Sequence, residues 1–274
     1  MAYRVLERPD RDQVVATMTV LADRVASLMD AVTDWDARVY GSHTWTVTEL
    51  VRHMSALPEY YAETSVEVPL ARAATAGAMA ETNATTLAAV AHRTPADFSR
   101  IFRSNLPVLL EHLRVSDPQA ALPFHAGLSL TPGELGGIAI GEWRVHGWEL
   151  AKTIGVPWEV RPEHARLVLA AFNAVLPAWL DAEKAAGHSG RYEYRLRGTG
   201  ERLQWTFTDG VLTTRPPAGA VFRPDTIIWA EPSALLLYFY RRTGLWSNVV
   251  RGNLLAGGRR PLRALRARNL FHPA

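Results

Sequence analysis

Val14, Met18, Leu21, Val25, Leu28 and Val32 recur at alternating spacings of four and three. That stripe predicts an amphipathic helix with one buried face. A second helix is expected to begin at Thr46-Val47-Thr48-Glu49 and run through His53 toward Tyr60. Pro58 removes a backbone donor and is expected to bend or end it. Residues 71 to 92, rich in alanine and threonine, read as a weak helix with a mobile lead-in. Thr94-Pro95-Ala96-Asp97 and Thr131-Pro132-Gly133-Glu134 each combine a threonine cap, a proline at the first helical position and an acid in the first turn. They open two further helices, the first with Pro107 as a kink, the second stopping at Gly155. Val168, Phe172, Val175 and Trp179 mark another helix. An antiparallel four-helix bundle with extra segments fits this half best.

The period changes after Gly187-His188-Ser189-Gly190. Tyr192, Tyr194 and Leu196 alternate with Glu193, Arg195 and Arg197, and Leu203, Trp205 and Phe207 alternate with Gln204, Thr206 and Thr208. These are half-buried strands, and Asp209-Gly210 is a hairpin turn leading into a return strand from Val211 to Thr214. Asp225 to Trp229 reads as a short strand and Pro232 to Arg242 as a helix. The expected architecture is therefore a helical domain over residues 1–187 followed by a smaller α+β domain over 188–274.

Composition sets limits on chemistry. The chain has 274 residues, 48% hydrophobic and 21% charged, as in an ordinary globular protein. The N-terminus lacks the apolar core of a signal peptide, and no apolar run reaches membrane-span length, so a cytoplasmic location is expected. The absence of cysteine excludes disulfides, thiolate ligands and a cysteine nucleophile, so thiol chemistry needs a thiol from outside the chain. Net charge is +3, yet residues 251–274 hold six arginines and no acid, leaving the remainder at −3. A solvated, salt-bridged face explains that tail better than a nucleic-acid surface, because no binding motif accompanies it.

Candidate chemistry centres on Glu142 and His146, four residues apart and so on one helical face, with His53 far upstream. An i,i+4 charge pair on a helix surface and an ordinary buried histidine are the simple alternatives. Against these, Glu142 follows the apolar, glycine-rich run Leu135 to Ile140, and His53 lies among Leu50, Val51, Met54 and Leu57. Charged groups in such helices need compensation. Two histidines and one carboxylate on facing helices are how bundle metal sites are built, with a coordination position left open. Glu149 and Glu49 are each spaced to hold a ring nitrogen of the nearby histidine.

The segments Trp45-Thr46-Val47-Thr48-Glu49-Leu50-Val51-Arg52-His53 and Gly141-Glu142-Trp143-Arg144-Val145-His146-Gly147-Trp148-Glu149-Leu150-Ala151 resemble the mycothiol-dependent maleylpyruvate isomerase family of DinB-like metalloenzymes. The resemblance implies a DinB-like four-helix bundle followed by an α+β domain similar to sterol carrier proteins. It also implies a divalent metal, usually zinc, on His53, Glu142 and His146. In that family the metal holds mycothiol as its thiolate, which adds to a small electrophile. The isomerase adds the thiol to a conjugated double bond, allows rotation and expels it, whereas relatives transfer the thiol permanently. The stretch Val39 to Thr44, the linker from Pro69 to Thr94 and the loop Pro123 to Leu128 depart from the family pattern, and the linker and the loop are expected to line the mouth of the bundle. His125 in that loop, and Arg241 and Arg242 after the apolar run Leu235 to Tyr240, are candidate substrate contacts. Each also has a bland reading, as a loop histidine or as helix C-terminal charges. Two other functions stay open: a biosynthetic tailoring metalloenzyme that does not use mycothiol, and a non-enzymatic carrier or sensor of a small ligand.

Overall fold

Helix starts are written into the chain as side chains that take up free backbone N–H groups. Asp10 caps α1 (Arg11–Asp30) by accepting from the Gln13 N–H at 2.8 Å. Thr46 and Glu49 form a capping box at the start of α2 (Val47–Ala62). A single 3₁₀ turn leads into α3 (Met79–Ala89), the weak helix expected from alanine and threonine. Thr94 with Asp97 and Thr131 with Glu134 repeat the box at α4 (Pro95–Val115) and α5 (Pro132–Ile154). Gly155, at φ 74°, closes α5 in the left-handed conformation that glycine adopts without strain. Between α4 and α5 a small antiparallel pair, β2 (Leu122–Pro123) and β3 (Ser129–Leu130), brackets His125.

The computed structural model describes residues 3–41, 44–64, 67–215 and 221–273. Ser42 and His43, in the divergent stretch ahead of Trp45, lie outside the described residues. Two compact units are present, residues 9–160 and residues 1–8 with 161–274.

In the first unit α2 packs along α4 and α5, and α1 along α4 and α5. Their shared core includes Met18, Leu50, Phe102 and Trp143, all essentially inaccessible. Gly136 lets α1 and α5 approach: a Cβ there would fall 2.4 Å from Val14 Cγ1. Glu59 of α2 takes both terminal nitrogens of Arg93, at 2.8 and 3.1 Å, and the Asn105 amide of α4 at 2.9 Å. Of the two outcomes expected at Pro58, a bend or an end, the helix does not take the second. The helix continues to Ala62 and closes with Glu63 at φ 55°. One lost backbone bond is offset by burying Leu57, Tyr60, Tyr61 and Ala62 around it.

The second unit is built on a mixed sheet in the order β1 (Arg4–Val5), β5 (Glu201–Thr208), β4 (Gly190–Leu196), β7 (Thr226–Ala230), β8 (Leu254–Gly258), with β6 (Val211–Thr213) also on β5. β1 pairs parallel with β5 and β4 parallel with β7, and the remaining pairs are antiparallel. Helix α6 (Pro162–Val175) belongs to this unit, so the units part about one helix before the expected boundary at residue 187. The reason is its packing. Asn173 accepts from the Trp205 indole at 2.8 Å and donates to the Thr214 carbonyl at 3.2 Å, while Phe172 meets Phe239 of α8 (Pro232–Phe239). A one-turn helix, α7 (Ala182–Ala185), and α9 (Leu245–Val250) complete the unit.

Helix α8 stops short of the expected Arg242, because Arg241 turns into the left-handed region at φ 60°. From the basic tail, Arg259 pairs with Asp225, and Arg268 donates to the Tyr238 and Thr243 carbonyls. Among the described residues no helix is long and apolar enough to cross a membrane.

Candidate metal centre

His53 projects from the second turn of α2, and Glu142 and His146 from adjacent turns of α5. Glu142 Oε2 lies 3.1 Å from His146 Nε2 and 3.6 Å from His53 Nε2. One ligand atom from each of the three residues falls within 4.8 Å of the others. Tetrahedral coordination with bonds of about 2.0–2.1 Å places donor atoms roughly 3.3 Å apart. The observed separations bracket that spacing, so the donor set fits a divalent cation.

The second nitrogen of His146 is also fixed. Its Nδ1–H donates to Glu149 Oε2 at 2.6 Å, and Glu149 is buried. This bond selects the tautomer whose Nε2 lone pair faces Glu142 and His53. Glu49 does something else: its Oε2 accepts from the Thr46 N–H at 2.7 Å and the Thr46 hydroxyl at 3.0 Å. It therefore braces the start of α2, the site's scaffold, through the capping box and not by holding the His53 ring. The Trp45 ring lies 5.2 Å from the His53 ring and 6.1 Å from the His146 ring, walling both imidazoles.

Electrostatics follow from burial and pairing. Burial works against ionisation of Glu142, but its hydrogen bonds to His146 and His53 outweigh it and hold the carboxyl well below its usual range. Burial pushes the His53 imidazole down, toward its neutral form. His146 also suffers from burial. The Glu149 charge and the bonds to both glutamates nevertheless raise it to about 9. In the absence of metal, a proton on His146 thus stands where a cation would sit.

His53 and Glu142 line a small cleft, part of it open to solvent, together with Tyr60 and with Met79, Thr82 and Thr86 of α3. Glu142 keeps a fifth of its side chain exposed there, so a small molecule can reach it. His125 lines the same cavity, with both ring nitrogens engaged. Nδ1 accepts from the Ala73 N–H at 3.0 Å, and Nε2 meets the Tyr60 hydroxyl at 3.3 Å. Tyr60 in turn donates to the Ala71 carbonyl at 3.0 Å. Burial first, and then the Arg72 charge, lower His125 to about 4, so the ring is neutral at ordinary pH. Arg241 and Arg242 lie in the second unit, where their guanidinium groups donate to the Phe271 and Tyr240 carbonyls. The linker from Pro69 to Thr94 and the loop Pro123 to Leu128, expected to line the mouth of the bundle, supply Met79, Thr82, Asn83, Thr86 and His125 to the cavity lining.

Residues 18–151 match the mycothiol maleylpyruvate isomerase N-terminal domain family. Among solved structures, the chain is similar to the mycothiol-dependent maleylpyruvate isomerase at 12% identity, with a TM-score of 0.53 over 90% of this chain and 92% of that one. A histidine-to-alanine mutant of that isomerase matches at 11% identity and a TM-score of 0.51, with the same coverage. At this identity the likeness is one of fold. No curated protein matches the sequence significantly. The resemblance first carried by the Trp45–His53 and Gly141–Ala151 segments therefore stands: residues 18–151, which hold all three converging side chains, belong to the mycothiol maleylpyruvate isomerase N-terminal domain family.

Proposed function

We propose that this chain is a cytoplasmic, metal-dependent thiol transferase or isomerase using mycothiol, in which His53, Glu142 and His146 hold a divalent metal such as zinc. The observation that carries this reading is the convergence of those three ligand atoms, with His146 braced by Glu149, at the mouth of a cavity. A metal there supplies a Lewis acid that keeps a bound thiol deprotonated near neutral pH. The chain's residues do the rest. Glu149 holds the His146 ring in its ligating tautomer, and Glu142 offers a carboxylate that stays ionised. The cavity beside His53 receives the small electrophile and shields it from water. In this reading the first unit is a DinB-like four-helix bundle and the second a sterol-carrier-like α+β domain.

The test is elemental analysis of purified wild-type and His53→Ala protein, followed by titration of mycothiol into the cobalt-substituted form. About one metal per wild-type chain, lost in the variant, and a thiol-dependent change in the cobalt spectrum are expected. A wild-type protein that takes up no metal sinks the reading. Metal without any response to thiol shifts it to a tailoring metalloenzyme that does not use mycothiol.

A further inference from the structure

One end of the sheet in the second unit gathers guanidinium groups around a single carboxylate. Arg191, Arg260 and Arg263 line a shallow cleft there with Asp225, Thr206 and Thr208. Two of the three arginines are tied by their backbones to the start of β7. The Asp225 N–H donates to the Arg191 carbonyl at 2.8 Å, and the Arg260 N–H to the Asp225 carbonyl at 2.8 Å. The Thr226 hydroxyl donates to the Arg260 carbonyl at 2.8 Å. Arg263 is held through its side chain. Its Nη1 donates to the Ser189 carbonyl at 2.7 Å and lies only 2.4 Å from where a Cβ on Gly190 would stand. The space that glycine leaves at position 190 is taken by this guanidinium.

Asp225, the acid in the lining, does not neutralise the group. Its Oδ2 accepts from the Arg191 N–H at 3.0 Å and its Oδ1 from Arg259 at 2.7 Å. Burial works against its ionisation, but that N–H and the charges of Arg259, Arg260 and Arg263 hold the carboxyl below its usual range. The exposed guanidinium groups of Arg191 and Arg260 have no hydrogen-bond partner among the described residues. Three guanidinium groups against one carboxylate leave the lining at +2, and the fold keeps these like charges together.

The shape of the group selects among anions. A carboxylate offers two oxygens in one plane, which a single guanidinium fork already satisfies. A tetrahedral dianion matches the +2 charge and turns separate oxygens to several forks and to the Thr206 and Thr208 hydroxyls. We infer that this cleft is a binding site for a tetrahedral dianion, inorganic phosphate or the phosphate of a small monoester, held by Arg191, Arg260 and Arg263. The assignment is independent of the metal chemistry proposed above.

The test is calorimetric titration of the full chain, at fixed ionic strength, with inorganic phosphate, glycerol phosphate, acetate and a thymidine dinucleotide. The dinucleotide presents a phosphodiester with a single charge. Wild type is expected to bind one of the two dianions about tenfold or more tightly than acetate or the dinucleotide. Which dianion binds more tightly tells the free ion from a monoester. Arg260→Gln removes a side chain without a protein partner and is expected to weaken binding about tenfold, the loss of one charge-assisted contact. Gly190→Ala changes no charge, yet is expected to weaken binding by displacing Arg263. Arg266→Gln, at an exposed arginine outside the cleft, is expected to leave the affinity unchanged. The inference is overturned if neither dianion binds, or if acetate or the dinucleotide binds equally well. Wild-type affinity in Arg260→Gln or Gly190→Ala also overturns it. Equal losses in Arg260→Gln and Arg266→Gln do so too, since they mark a diffuse basic surface.

Discussion

Glu149 accepts the Nδ1–H of His146 across 2.6 Å from a buried position, three residues further along the same helix. The pair behaves as one unit, since the carboxylate fixes which nitrogen of the ring carries its proton. Glu149→Gln keeps the shape but loses the charge, and metal affinity should fall about 10- to 100-fold. Competition against a chelator of known affinity measures it; an unchanged affinity would show that the bond does not tune the ligand.

His146 is raised to about 9 in the metal-free protein, above its ordinary value near 6.5. Its stabilising contribution is therefore complete below about pH 6.5 and fades as pH climbs through about 9. Metal-free protein should lose thermal stability between pH 7 and 10, and His146→Gln should flatten that part of the profile. Metal uptake near pH 7.5 should release about one proton per site, read by calorimetry in buffers of differing ionisation enthalpy.

His125 runs the other way. It is lowered to about 4, so between pH 6.5 and 4 the unfolded chain takes up a proton that the folded chain refuses. Stability should decline across that window on acidification and level off below it. His125→Asn keeps an acceptor for the Ala73 N–H and should narrow its stability gap to wild type as pH falls. Parallel melting curves at pH 7 and pH 4.5 decide the matter.

The buried Glu59–Arg93 pair predicts an asymmetry between one substitution and two. Arg93→Ala strands a carboxylate at 6% exposure and should cost about 3–5 kcal/mol. Glu59→Leu combined with Arg93→Met removes both charges and should recover most of that loss. Urea unfolding of the two proteins tests it, and equal losses would mean the pair is worth what its geometry suggests and no more.

In the second unit, Asn173 joins α6 to the sheet through Trp205 and Thr214. Asn173→Ala leaves a buried indole N–H and a carbonyl unsatisfied and should destabilise by about 1–3 kcal/mol per group. Intrinsic tryptophan emission during denaturant titration will report it. A neutral substitution would show that water replaces the amide.

What the sequence reveals and what it hides divide along the range of the interactions. Helix starts at Thr46, Thr94 and Thr131 are local events set by residues three apart, and they are readable from the order of residues alone. The same locality explains Glu49. Thr46-x-x-Glu49 has the pattern of Thr131-x-x-Glu134, so its carboxylate is taken by the helix start, while Glu149, far from the start of α5, turns to His146. Two features depend on partners far along the chain: the allegiance of α6 and the pairing of Arg4–Val5 with β5. Periodicity carries no information about such partners.

The capping box at Thr46 does more than begin a helix. It sets the rotational phase of everything that follows on α2. Each residue advances the helix by about 100°, so one residue inserted between Glu49 and His53 would swing the imidazole about a quarter-turn away from α5. The hydrophobic stripe of Leu50, Val51, Met54 and Leu57 would rotate with it and pull the helix back. Core packing and the convergence of His53 on Glu142 and His146 are thereby tied to a single starting residue.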